Sequence, residues 1–148
     1  MIFIGIDPGK RGALAMIRSS DESKDIYDIP MIDKKLYDIA ECVELLREIK
    51  GDEVCICAIE KQQSMPKQGV ASSFSTGQGY GMWLGILAAL GIPYEEVRPA
   101  KWKKTLKIPA DKSEALAKTK ARYPDAALKR HDHGDALMLA VYIMETTG

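Results

Sequence analysis

Apolar and polar positions alternate in blocks that predict a mixed α/β chain. Ile2, Phe3, Ile4 and Ile6 form a run too continuous for a half-exposed strand, so both its faces should be buried. Asp7 closes that run and Pro8-Gly9 turns the chain away. Gly9 to Gly12 reads as a hairpin connection, Ala13 to Ile17 as a second strand, and Lys24 to Ile29 as a third, stopped by Pro30. Together they make an antiparallel meander. A helix capped by Asp33 should follow, its apolar side formed by Leu36, Ile39, Ala40, Val43, Leu46 and Ile49 and its end set by Gly51. Val54 to Ile59 is another doubly buried strand, ending in Glu60. It follows a crossover helix, which places it parallel to the first strand.

The second half is mostly helical. Lys61 to Gly69 is a polar loop, and a helix begins at Ser72 or Ser73 and runs to Leu90. Gly77, Gly79, Gly81 and Gly85 weaken that helix and fit a face that another backbone or a nucleic-acid strand approaches closely. Met82, Trp83, Ile86, Leu87 and Leu90 supply its apolar stripe. A short strand over Tyr94 to Arg98 leads to a helix opened by Pro99 and anchored by Trp102. Lys107 to Ala110 links it to a helix over Lys112 to Arg122, capped by Asp111. The last helix spans about Asp132 to Met144. The expected fold is α/β: a central five-stranded mixed sheet, antiparallel meander then parallel strands, flanked by helices in a single domain over residues 1–148.

Composition adds bounds. A chain of 148 residues with 46% hydrophobic and 28% charged residues can bury one real core. No apolar run is long enough to span a bilayer and no signal-like N-terminus is present, so an intracellular, cytoplasmic protein without membrane contact is expected. Cys42, Cys55 and Cys57 are an odd number for a disulfide framework, and Cys55 and Cys57, lying in an apolar run, read as reduced core residues. The formal net charge is zero, yet its distribution is uneven. Acids dominate from Ser20 to Glu60. Arg98 to Arg130 is basic, with Lys101, Lys103, Lys104, Lys107 and Lys112 opposed only by Asp111, Glu114 and Asp125. Such asymmetry points to a polyanion or to a solvated helix face.

The candidate chemistry lies in four acids. Asp7 alone is either a turn cap or a metal ligand at a sheet end. Glu60 ends a strand beside it, and Asp132 and Asp135 share one face of the last helix. Helix-dipole complementarity explains one of the latter pair, not an acid entering an apolar segment. Like charges cluster around a cation, and hard oxygen ligands suit Mg²⁺, with Mn²⁺ as substitute. Two such ions about 4 Å apart suit phosphodiester hydrolysis, with the basic stretch serving the phosphate backbone.

Several motifs together resemble the RuvC-type Holliday-junction resolvases, of the RNase H-like fold, and most of all their shorter phage-borne members. They are Gly5-Ile6-Asp7-Pro8-Gly9, Ile59-Glu60, Gly77-Gln78-Gly79, Val97-Arg98-Pro99 with Lys101-Trp102-Lys103, Asp111-Lys112-Ser113, and Asp132-His133-Gly134-Asp135-Ala136-Leu137. The resemblance implies catalytic, metal-binding acids at Asp7, Glu60, Asp132 and Asp135, functional lysines at Lys101 and Lys112, and a homodimer that nicks opposed strands of a four-way DNA junction. Lys103 and Lys104 extend the expected DNA track. Gln63 stands where bacterial members carry an aromatic. This leaves Met65 as the apolar side chain of the loop able to wedge between bases, with Lys61 and Lys67 on the flanking phosphates. His131 and His133 flank Asp132; each either supports the acids from behind or lies on the surface, and surface is the reading taken.

Other functions stay open. A nuclease of the same fold acting on other branched DNA or on RNA would carry the same acids. A non-catalytic junction-binding protein would leave them unexplained. An actin-like ATP-binding protein shares the Gly-Ile-Asp strand end but needs a second domain and phosphate loop, so no small-molecule cofactor is expected.

Overall fold

The computed structural model describes residues 1–147. Strands β1 (Ile2–Asp7), β2 (Ala13–Arg18) and β3 (Lys24–Tyr27) form the antiparallel meander. A small separate hairpin, β4 (Met31–Ile32) and β5 (Leu36–Tyr37), precedes helix α1 (Ile39–Lys50). Then come β6 (Cys55–Glu60), α2 (Val70–Ala89), β7 (Tyr94–Val97), α3 (Pro99–Leu106), α4 (Lys112–Arg122) and α5 (His131–Thr147). The five-stranded sheet has the order β3-β2-β1-β6-β7, with β6 parallel to both β1 and β7. None of the described helices is long and apolar enough to cross a membrane.

The pleat sorts the core into two layers. Ile2, Ile4, Ile6, Cys55, Cys57 and Ile59 face α1 and α2, meeting Cys42, Leu46, Trp83 and Leu87. Phe3, Ala13, Ala15, Ile17 and Ala58 face α3, α4 and α5, meeting Trp102, Leu137 and Val141. Helix α5 is buried almost all round and lies directly on β1. Gly5 makes this possible, because a Cβ there would stand 2.0 Å from the Ala136 carbonyl oxygen. That backbone contact fixes where the first turns of α5 sit against the end of β1. The three cysteines are free and buried.

Several predicted boundaries move. The helix expected to be capped by Asp33 begins five residues later, at Ile39, with Asp38 as its N-cap accepting from the Glu41 amide at 3.2 Å. Asp33 and Lys34 instead take positive φ of 51° and 58° in the turn of the β4–β5 hairpin. The Lys35 amide closes that turn on the Ile32 carbonyl. Leu36 and Ile39, expected on the buried stripe, are exposed, and Cys42 takes the core place. β3 stops at Tyr27, α2 starts at Val70, and Arg98 is the N-cap of α3 rather than strand. α5 runs on to Thr147.

Candidate active site

Two neighbouring parallel strands deliver the first two acids. The β1–β6 register pairs Ile6 with Ile59, so Asp7 and Glu60 follow side by side at the strand ends. The β1–α5 contact brings the first turns of α5 over the same end, and Asp132 and Asp135 join them there. All four acids line one cleft of about 380 Å³, together with Lys10, Arg11, Lys103, Lys112 and His131.

Each acid has its own support. Asp7 is 6% exposed, and its Oδ1 accepts from the Gly9 amide at 3.0 Å. Glu60 Oε2 accepts from the Trp102 indole N–H at 2.9 Å, and Lys103 lies over the same indole, 5.5 Å from the ring centroid. Trp102 therefore anchors α3 and also orients a carboxylate. Asp132 accepts from Arg130 Nε at 3.3 Å and stands 2.9 Å from His131 Nε2. Arg130 also donates to the Gly12 carbonyl at 2.6 Å and to Asp28, tying α5 to the β1–β2 turn. His133 is buried. Its Nδ1 accepts from the Lys129 amide, which leaves Nε2 to donate to Asp28 at 2.8 Å. These bonds hold Asp28 at about 2. His133 is thus a buried structural group rather than the surface residue expected.

The electrostatics mark the cleft as a place of forced like charge. Burial, then the Glu60 charge, pushes the Asp7 carboxyl well above the ordinary range. Burial also raises Glu60, against the opposing pull of Trp102 and Lys103. Asp135 is pushed up to about 7 by burial first and Glu60 second. Among the described residues no three such side chains converge into one ready ligand set. They face one another across the cleft as hard, partly desolvated oxygen donors. That donor chemistry fits a divalent ion of the Mg²⁺ or Mn²⁺ class.

No family model and no curated protein matches the chain. Solved structures do. T. thermophilus RuvC in complex with a Holliday junction substrate superposes with a TM-score of 0.68 at 17% identity, over 99% of this chain and 96% of that one. A second T. thermophilus RuvC structure gives 0.67 at 18% identity, over 99% and 97%. The chain has the RuvC-type, RNase H-like fold.

Within that fold the expected site residues divide. Lys103 and Lys112 line the acidic cleft. Lys101 does not. It pairs with Glu95 at 3.1 Å, and Glu95 also accepts from the Tyr142 hydroxyl. Lys104 is exposed on α3. Lys61, Met65 and Lys67 lie on the loop after β6, with Met65 60% exposed. The Met65 amide donates to Gln68 Oε1 at 2.9 Å, and Gln68 Nε2 donates to Ser72 and Thr76, so the loop is stapled to the start of α2. Lys10 and Arg11 were missed because a Gly-Lys-Arg-Gly stretch reads only as a turn. Their position directly after a strand-ending acid was the available signal.

Proposed function

We propose that the chain is a divalent-metal-dependent endonuclease that resolves four-way DNA junctions by paired nicks in opposed strands. The observation that carries this reading is that four acids from β1, β6 and α5 line one cleft whose rim is basic. Asp7, Glu60, Asp132 and Asp135 would hold the metal, as two ions. When bound, it supplies a water of lowered pKa and charge stabilisation for the phosphodiester oxygens. The chain's own work is positional. The Gly9 amide and the Trp102 indole fix Asp7 and Glu60. Lys103 and Lys112 draw a phosphate toward the acids, and Lys112 is placed to balance charge developing on it. Lys61, Lys67, Lys101 and Lys104 extend the backbone track, and Met65 is offered to unstacked bases at the junction centre.

Paired nicks require two sites related by a two-fold axis. Helix α2 has the surface for a homodimer. It contains no charged residue from Val70 to Ala89. Val70 is 89% and Phe74 73% exposed, and a Cβ at Gly77, Gly81 or Gly85 would meet nothing within 4 Å. An apolar groove of about 500 Å³ between α1 and α2, lined by Ile39, Val43, Met82 and Ile86, continues that face.

The deciding experiment compares Mg²⁺-dependent cutting of a four-way junction, a fork, linear duplex and an RNA–DNA hybrid. Preferential paired nicking of the junction is expected. Equal cutting of the unbranched substrates would favour a general RNase H-like nuclease. Binding with no cutting would favour a junction-binding protein. A monomer by sedimentation, both free and on the junction, would overturn the paired-nick model.

The basic rim makes a separate prediction. Lys103→Ala and Lys112→Ala should each weaken junction binding and flatten the log–log salt slope by about one unit if each neutralises one phosphate. Lys34→Ala, in the exposed β4–β5 turn, should leave the slope unchanged. Equal slopes in all three variants and the parent would remove the two lysines from the track.

A further inference from the structure

The β4–β5 hairpin has a consequence for Asp7. Tyr37 ends β5, and its hydroxyl donates to the Gly9 carbonyl, with the Pro8 carbonyl 3.2 Å away. Gly9 is therefore held by both of its backbone polar groups. Its carbonyl is taken by Tyr37, and its N–H donates to Asp7 Oδ1 at 3.0 Å. With Oδ1 so engaged, Oδ2 is the oxygen of Asp7 left without a hydrogen-bond partner among the described residues.

The ring of Tyr37 has its own seat. It lies against the buried Trp83 of α2, with centroids 6.4 Å apart and planes tilted by 57°. It also passes so close to α2 that a Cβ on Gly79 would stand 3.1 Å from Cε2. Of the four glycines in α2, only Gly79 has such a neighbour; Gly77, Gly81 and Gly85 face open space. Gly79 thus serves the inside of the molecule. Burial, together with the nearby Asp7 and Asp132 charges, raises the Tyr37 hydroxyl far above its ordinary value, so it is a neutral donor at any working pH. A ring needed only for packing would not require a hydroxyl at this position. Here the hydroxyl satisfies the carbonyl of the residue that supports the acid.

We infer that Tyr37 is a positioning residue for Asp7: seated against Gly79 and Trp83 of α2, it fixes the Pro8-Gly9 turn and with it the orientation of the carboxylate toward the cleft. The activity consequences rest on the nuclease reading above; the metal-binding consequence rests only on the four-acid cleft. Partners that orient a metal ligand typically change metal affinity or activity by 10–100-fold when removed. Because Tyr37 touches the helix offered for dimerisation, movement of α2 would reach Asp7 through this ring.

The test measures Mn²⁺ binding by titration calorimetry without DNA, alongside junction binding and the Mg²⁺ dependence of cutting. Tyr37→Phe keeps the ring and removes the hydroxyl. It should weaken Mn²⁺ binding about tenfold, raise the Mg²⁺ concentration for half-maximal cutting, and leave junction affinity unchanged. Gly79→Ala keeps the hydroxyl but crowds the ring. It should shift Mn²⁺ affinity in the same direction, although alanine is the better helix former. Tyr27→Phe, a partly buried tyrosine of the same core layer, is the control and should match the parent. Parent-like Mn²⁺ affinity in both Tyr37→Phe and Gly79→Ala would overturn the positioning role, even if the parent cuts junctions. Weakened Mn²⁺ binding in a protein whose parent cuts no nucleic acid would uphold it and overturn the nuclease reading instead.

Discussion

Asp7→Asn is expected to lower junction cleavage in Mg²⁺ by about 10³-fold or more while leaving the junction bound. The amide keeps the side-chain shape, and its oxygen can still accept from the Gly9 amide that now meets Oδ1. Only the charge is lost. A metal-bound transition state depends on that charge by several kcal/mol, and each 1.36 kcal/mol is a factor of ten in rate. In the proposed reading, binding draws on a different set of groups, the lysines and arginine of the cleft rim and α3. The variant should therefore shift a four-way junction in a gel at parent concentrations and yield no nicked strand. Full cleavage by Asp7→Asn would exclude a metal site at this position. Loss of binding together with cleavage would mean that the acid organises the surface rather than the chemistry.

The parts of this site that were legible in the sequence are those written in local pattern. Continuous apolar runs ending in Asp7 and Glu60 announce buried strands with acids at their ends. The parallel relation of β1 and β6 follows from the crossover helix between them. Asp132 and Asp135 share a helical face by spacing alone. What could not be read depends on contacts distant in sequence. Trp102 donating to Glu60 spans 42 residues, and Arg130 reaching Gly12 spans 118. Neither leaves a periodic trace. The misplaced start of α1 has a different origin. Leu36 and Ile39 fit helical spacing with Val43 and Leu46, but Asp33 and Lys34 adopt left-handed backbone and form a hairpin first. The turn won over the apolar period, and it carried Tyr37 to the carbonyl beside Asp7. Lys101 reads in the sequence as one more lysine of a basic stretch, and only the fold reveals Glu95 beside it.

Asp135→Asn should stabilise the metal-free protein at neutral pH and flatten its pH profile. The carboxyl of Asp135 is held at about 7 against an ordinary 3.8, by burial first and by the Glu60 charge second. Between those values the unfolded chain releases the proton while the folded chain keeps it. The folded state then binds more protons, so stability falls as pH rises through that window and is lowest above about 7. Asp7 and Glu60 are raised too and act in the same sense. The gap for Asp135 alone corresponds to about 4 kcal/mol, or roughly 10 °C in melting temperature for a chain of this size. Asparagine carries no charge to desolvate, so the variant's melting profile in a chelator should decline less steeply than the parent's between pH 4 and 7, with Asp7 and Glu60 supplying the decline that remains. Adding Mg²⁺ at pH 7.5 should raise the parent's melting temperature, because an ion binding only the folded state stabilises it by mass action. The gain should be smaller for Asp135→Asn, which lacks one ligand charge. Parallel profiles for the two proteins in chelator would show that Asp135 is not held against ionisation. Equal gains with Mg²⁺ would show that it does not face the ion.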